Sequence, residues 1–268
     1  MTFLVAFSAE NARPHYGIAA MAGLDWLIAR PVAHRGLHDA QKGVIENTSS
    51  AFAAAIAGGY GIECDLQVSA DGDAMVHHDE MLGRLTDGNG RLDALTAAEL
   101  KRVPFKITAD RMITLAELCD LVDGRAPLLI ELKSRFAGDR RLVGRAAKVL
   151  AGYGGPAALM SFDPAQIATL REIAPQVPRG LVAESPHPLR RGERPLAAAK
   201  DALALLVQGL HARPQFIAYS VSDLPATLPT VARKVLGLPL LTWTVRSSDQ
   251  RRTAERYADQ MIFEGFRP

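Results

Sequence analysis

Two histidines and three carboxylates stand inside short apolar runs of this chain. The runs are Ala33-His34-Arg35-Gly36, Ile62-Glu63-Cys64-Asp65, His77-His78-Asp79 and Ile130-Glu131-Leu132-Lys133. Neighbours such as Val32, Val76, Leu128 and Leu129 favour burial in a sheet. Ionisable groups at such positions are costly to desolvate unless they pair, ligate a metal or do chemistry, so one functional site is the economical reading. Glu63 and Asp65 are one residue apart, and an extended strand turns both to the same face. With Glu131 they offer three hard oxygen donors, a set that suits Mg2+ or Ca2+ better than zinc. The competing arrangement is a metal-free network in which Glu131 pairs with Lys133 or Arg35. Histidine as a residue type titrates near neutrality, so a pair such as His34 and His78 can divide the removal and the delivery of a proton. Arg35, with its planar fork, and Lys133, a point charge one alternation beyond Glu131, fit a phosphate group. His77 points away from His78 on a strand and suits packing or support. His15, His38, His187 and His211 have no comparable context and receive no role.

Strand-like and helical segments alternate from residue 31, the pattern of an α/β fold. Strands are expected at 31–35, 61–67, 74–78, 127–133, 157–161, 179–183, 216–219 and 239–245, with a further run at 260–263. Helices are expected at 48–58, opened by Asn47 or Thr48 and stopped by Gly58-Gly59, and at 114–122, 139–151, 164–173, 196–208, 225–236 and 248–257. The Ala70-Asp71-Gly72 connection is too short for a crossover helix and favours a hairpin, which brings His77 to Asp79 beside Glu63 to Asp65. A long connection, roughly 79–126, then separates His78 from the next strand.

In order along the chain stand His34-Arg35-Gly36, Glu46-Asn47-Thr48, Glu63-x-Asp65, Asp71-Gly72, His78-Asp79, Leu82-x-Arg84-x-Thr86, Glu131-x-Lys133, Ser161-Phe162-Asp163 and Trp243-Thr244-Val245. This series, covering roughly residues 29 to 250, resembles the glycerophosphodiester phosphodiesterase family of the phospholipase-C-like phosphodiesterases. The resemblance implies a TIM-type (β/α)8 barrel with an insertion after the His78 strand, Gly83 to Phe105, which either covers part of the active-site mouth and influences which alcohol is accepted or is a surface excursion with no role in selectivity. It implies metal-dependent hydrolysis of a glycerophosphodiester to sn-glycerol 3-phosphate and an alcohol, with one divalent cation at Glu63, Asp65 and Glu131. His34 and His78 would be the acid and base, and the substrate's own glycerol 2-hydroxyl would attack first to give a cyclic phosphate. Arg35 and Lys133 would take the phosphate, while Trp243 and Phe162 either line the pocket against the alcohol or pack the barrel. Glu46 and Asn47 fit the support of the loop after the first strand, and Asp163 before Pro164 fits a helix cap. Two departures stand out: Ile45 replaces a proline common in the family, and Met261-Ile262-Phe263-Glu264-Gly265 replaces the usual G-I-x-T-D ending. A related phosphodiesterase acting on lysophospholipids, or a noncatalytic phosphate-ligand module, are the alternative readings.

Composition sets the bounds. The 268 residues suit one barrel, expected at 29–268 behind an N-terminal extension at 1–28, with Met21 as a candidate native start. A net charge of +2, from 31 basic and 29 acidic residues, gives no nucleic-acid footprint. Cys64 and Cys119 make neither a disulfide framework nor a zinc spacing. No apolar run approaches the ~20 residues that span a bilayer, and without a secretory pattern the cytoplasm is the expected location. The segment Glu184 to Pro195, with Arg190-Arg191, reads as a solvated loop or a contact for anionic headgroups.

Overall fold

The computed structural model describes residues 23–185, 209 and 211–268. In chain order the strands are β1 (Val32–Ala33), β2 (Gly61–Val68), β3 (Ala74–Val76), β4 (Leu128–Leu132), β5 (Ala157–Ser161), β6 (Arg179–Ala183), β7 (Phe216–Ser220), β8 (Leu240–Val245) and β9 (Gln260–Phe263). Eight of them run parallel, and the ring closes because β1 pairs with β2 on one side and β9 on the other. The ninth, β3, hangs antiparallel on β2 with Leu66 opposite Val76. This is the TIM-type barrel, and the hairpin accounts for the ninth strand.

Helices are α1 (Asp25–Ile28), α2 (Ser49–Ala57), α3 (Ala97–Leu100), α4 (Leu115–Val122), α5 (Arg141–Leu150), α6 (Pro164–Ile173), α7 (Thr227–Lys234) and α8 (Ser248–Tyr257). Local sequence sets their ends. Thr48 caps α2, Thr114 and Glu117 form a reciprocal capping box on α4, and Asp163 caps α6 with Pro164 in its first turn. The helix expected at 196–208, most of the Glu184–Pro195 loop, His187, His15 and Met21 lie outside the described residues.

Alternation along the strands divides the core in two. Ile62, Cys64, Leu66, Leu128, Ile130 and Leu132 face outward and pack on Phe52, Leu115, Leu118 and Val143 from the helices. Val32, Leu129, Met160, Val182, Phe216, Leu241 and Ile262 fill the barrel interior, joined by Leu27 of α1. The period of two that turns Cys64 and Ile130 to the helices necessarily turns Glu63, Asp65 and Glu131 inward.

The first strand is shorter than expected, because Arg35 and Gly36 leave the sheet in a turn at φ 57° and 79°. Gly36 is required there: a Cβ would meet the backbone and Cβ of Ala51 at 2.8 Å. The connection between β3 and β4 builds a small core of its own from Leu82, Leu92, Leu100, Phe105 and Met112, packed on Ile45 and Met75. Ile45 is therefore a packing residue under the insertion.

Candidate functional site

Three carboxylates form the polar layer that ends the apolar filling of the barrel. Glu63 and Asp65 come from β2, Glu131 from β4, and the sheet register sets Asp65 opposite Glu131. All three are buried, and one oxygen of each lies within 4.8 Å of the others. Burial and the charges of Asp65 and Glu131 push the Glu63 carboxyl well up. Burial likewise pushes Glu131 up to about 7, although Lys133 offsets part of the effect. Burial also opposes ionisation of Asp65, but Lys133 and Arg35 outweigh it and hold that carboxyl below its ordinary range.

The two basic residues assigned to phosphate sit on these acids. Lys133 Nζ donates to Glu131 at 2.6 Å and lies 2.8 Å from Asp65 Oδ1. Arg35 Nη1 donates to Glu46 at 2.7 Å, while its Nε lies 3.2 Å from Asp65 Oδ2 without hydrogen-bond alignment. Asn47 donates to Asp65 Oδ2 at 2.9 Å and accepts from its backbone N–H, and the Asn47 N–H bonds the Arg35 carbonyl. Glu46 and Asn47 thus fasten the turn after β1 to the acid layer.

His34 follows β1 directly. Its Nδ1 lies 2.5 Å from Glu264 Oε2, and its Nε2 is 3.9 Å from Glu63 Oε2. Burial lowers the His34 pKa, with the Glu264 hydrogen bond opposing. Glu264 follows β9, where it also accepts from Arg246 Nε at 2.6 Å and lies 3.7 Å from His38 Nε2. Burial alone would raise its pKa, yet these partners hold it far below the carboxylate range.

His78 reaches the site from the other direction. The His77 N–H bonds the Asp65 carbonyl, extending the hairpin by one step, and Gln67 Nε2 donates to the His78 carbonyl at 2.8 Å. His78 Nδ1 lies 2.8 Å from Asp79 Oδ1. Asp79 Oδ2 accepts from Arg84 Nε at 2.5 Å, and Arg84 reaches Glu46 at 2.7 Å, so a chain of ion pairs joins the His78 arm to Arg35. His77 turns away and is buried beside Phe105, and burial lowers its pKa to about 4.

A cleft of about 520 Å³ opens over this layer, lined among others by His78, Asp79, Glu131, Lys133 and Phe162. Trp243 packs edge-on against Phe162 with centroids 5.5 Å apart, and its buried Nε1–H has no acceptor among the described residues. Asp163 caps α6 and accepts from Ser134.

The acids fit a hard divalent cation. Three buried oxygens converge, two carboxyls are pushed up by burial with the neighbouring negative charges adding to it, a penalty a cation relieves, and no sulfur or imidazole donor belongs to the group. Sequence reasoning missed Glu264, His38 and the Asp79–Arg84 link. Glu264 and Asp79 each hold Nδ1 of one histidine, and the other ring nitrogen makes no hydrogen bond among the described residues.

The model of the Glycerophosphoryl diester phosphodiesterase family matches residues 34–263. A glycerophosphodiester phosphodiesterase of Caldanaerobacter subterraneus subsp. tengcongensis is 28% identical over 245 residues, covering 86% of this chain and 92% of that protein. An Oleispira antarctica phosphodiesterase, solved in complex with the product sn-glycerol-3-phosphate, superposes with a TM-score of 0.69 at 21% identity, covering 87% of this chain and 91% of that one. A glycerophosphodiester phosphodiesterase from Thermotoga maritima superposes with a TM-score of 0.66 at 23% identity, covering 87% and 94%. Both structures share the fold.

Proposed function

Because the chain belongs to the glycerophosphoryl diester phosphodiesterase family, and so is a phosphoric diester hydrolase, we propose that it converts glycerophosphodiesters to sn-glycerol 3-phosphate and an alcohol by two-histidine acid–base catalysis. One observation carries this reading: two histidines, each held at Nδ1 by a carboxylate, flank a buried triad of acids at one cleft.

His34 is the base. Burial keeps its imidazole uncharged near neutrality, and Glu264 at Nδ1 leaves Nε2 to accept the proton of the attacking glycerol 2-hydroxyl. Glu264 then stabilises the imidazolium, whose positive charge it faces at 2.5 Å. His78, oriented by Asp79, gives its proton to the departing alcohol oxygen as the phosphorus–oxygen bond to that alcohol breaks. Water then opens the cyclic phosphate with the two roles exchanged. Glu63, Asp65 and Glu131 would hold one Mg2+ or Ca2+, which when bound supplies positive charge against the phosphate oxygens. Arg35 and Lys133, released in part from those acids, bind the same oxygens. Trp243 offers its unpaired N–H to the substrate.

Among the described residues no helix is long and apolar enough to cross a membrane. Exposed Met81 and Phe136 at the cleft favour a second reading, in which a lysophospholipid lays its acyl chain across them.

The test is phosphorus NMR of glycerophosphocholine, glycerophosphoethanolamine and a lysophospholipid incubated with Mg2+, Ca2+ or chelator. Cation-dependent glycerol 3-phosphate is the expected product, absent in His34→Ala and His78→Ala. Full turnover in excess chelator, or by a folded His78→Ala protein, would sink the reading. Turnover of the lysophospholipid alone would favour the second.

A further inference from the structure

Beside the histidine cleft lies a second one of about 270 Å³, and the two share Gln67, Glu80, Lys133 and Ser134 along a common wall. Nothing in the function proposed above uses it. Its remaining charged walls come from the insertion, at Arg91 and Asp93, and from the loop after β4 as far as Asp139 and Arg141. These elements stand on the His78 side of the barrel. Gln67 holds the His78 carbonyl, and Glu80 follows His78 by two residues. His34 leaves the sheet on the other side of β2, between β2 and β9.

Position decides which half of a diester enters. An acid that delivers its proton to the departing oxygen must lie on the departing side. We infer that the second cleft is the subsite for the departing alcohol and that it selects an uncharged, polyhydroxylated alcohol such as glycerol. The inference rests on the phosphodiesterase reading and names its substrate class.

Charge argues against a cationic alcohol. Arg91 donates to Asp93 at 2.9 Å and to Glu80 at 3.5 Å, Arg135 pairs with the same two acids, and Arg141 pairs with Asp139 at 2.7 Å. Every acid among the cleft's described lining residues is thereby paired with a guanidinium, and Lys133 is engaged by Glu131 and Asp65. A quaternary ammonium also favours an aromatic face, and none of the cleft's lining residues among those described is aromatic. Partly exposed guanidinium–carboxylate pairs suit a hydroxyl group, which accepts from the one and donates to the other.

Gln166 supplies an independent observation. It lines the cleft and is only 4% exposed. Its Nε2 donates to the Asp139 carbonyl at 2.6 Å, which fixes the orientation of the amide. The oxygen on the other side, Oε1, is buried and has no donor among the described residues. Buried polar atoms are rarely left so. A hydroxyl can supply that donor, whereas a trimethylammonium group has no N–H to give. The volume of about 270 Å³ falls just below the ~300–1,000 Å³ of small-molecule pockets, enough for a headgroup and too little for an acyl chain.

The experiment compares kcat/KM for glycerophosphoglycerol and glycerophosphocholine in the native protein, Arg135→Ala and Gln166→Leu, each checked by thermal unfolding. The native protein is expected to favour the glycerol ester by about 10-fold or more, since a site built for hydroxyl groups discriminates against an analogue lacking them. That ratio is expected to fall toward one in both variants. Arg135 is half-exposed, so its variant carries the test if Gln166→Leu does not fold. Equal native kcat/KM values, or a preference that survives in the folded variants, overturn the inference while leaving the phosphodiesterase reading intact. No turnover of either ester in Mg2+ or Ca2+ overturns that reading, and the inference with it.

Discussion

Glu264→Gln removes one negative charge and preserves the side chain's shape. In the native protein that charge faces His34 Nδ1 at 2.5 Å and Arg246 Nε at 2.6 Å. A hydrogen bond to a charged group contributes about 1.5–3 kcal/mol, whereas a neutral one contributes about 0.5–1.5 kcal/mol. An amide in place of the carboxylate therefore forfeits about 1–2 kcal/mol of support for the imidazolium that forms as His34 takes its proton. At about 1.4 kcal/mol per tenfold, kcat falls by about 5- to 30-fold. KM is expected to change little, because Glu264 does not line the substrate cleft. The assay is steady-state release of glycerol 3-phosphate, with circular dichroism confirming the fold. Glu264→Asp keeps the charge at a longer reach and is expected to recover part of the rate. A folded Glu264→Gln protein with native kcat, or one altered in KM alone, refutes the reasoning that His34 depends on this carboxylate.

Four further outcomes follow from the same geometry. Glu131 keeps its proton up to about pH 7 in the metal-free cleft and must shed it to ligate a cation. Cation affinity by calorimetry is thus expected to climb as pH rises through about 7, with proton release, and an affinity indifferent to pH contradicts the site. The raised pKa has a second sign: its contribution to the stability of chelated protein is present at low pH and lost as pH rises through about 7, so the native protein should lose melting temperature relative to Glu131→Gln over that interval. Arg84→Ala cuts the tie between Asp79 and Glu46 and should slow an ester with a poor leaving group by about 10-fold, a fraction of what a positioned acid supplies. A p-nitrophenyl ester, whose departing oxygen needs no proton, should be spared, and equal losses on both esters argue against the positioning role. Gly36→Ala places a Cβ 2.8 Å from Ala51 in a left-handed turn. It should cost at least about 1–2 kcal/mol and lower the melting temperature by about 2–8 °C, a drop whose absence denies the strain.

The barrel was legible because its signals are local. Strands at 61–67, 127–133 and 157–161 announce themselves by apolar runs between turn residues, and Ala70-Asp71-Gly72 declares a hairpin by its length. The three acids were equally legible, since a period of two says which residues share a face. What escaped is contact between distant strand ends. Glu264 sits in a stretch that departs from the expected ending, and nothing around it reveals that ring closure carries it to His34. Asp79 and Arg84 stood in motifs already noticed, yet their bonds to His78 and Glu46 depend on how the insertion folds back on the turn after β1. Lys133 and Arg35 were read as phosphate ligands, with pairing of Glu131 to either as the competing arrangement; the Glu131–Lys133 pair is present, whereas the Arg35–Glu46 bond depends on the turn after β1 and was not legible.

His34 and Glu264 are 230 residues apart in the chain. A ribosome adding about 5–20 residues per second needs roughly 10–50 s to travel between them. Throughout that interval the first strand lacks its closing neighbour β9, and the carboxylate that holds His34 is not yet made. Under the proposed mechanism, sealing of the ring and arming of His34 by Glu264 are then the same event. During refolding, the return of turnover serves as a clock for the moment when the first and last strands meet.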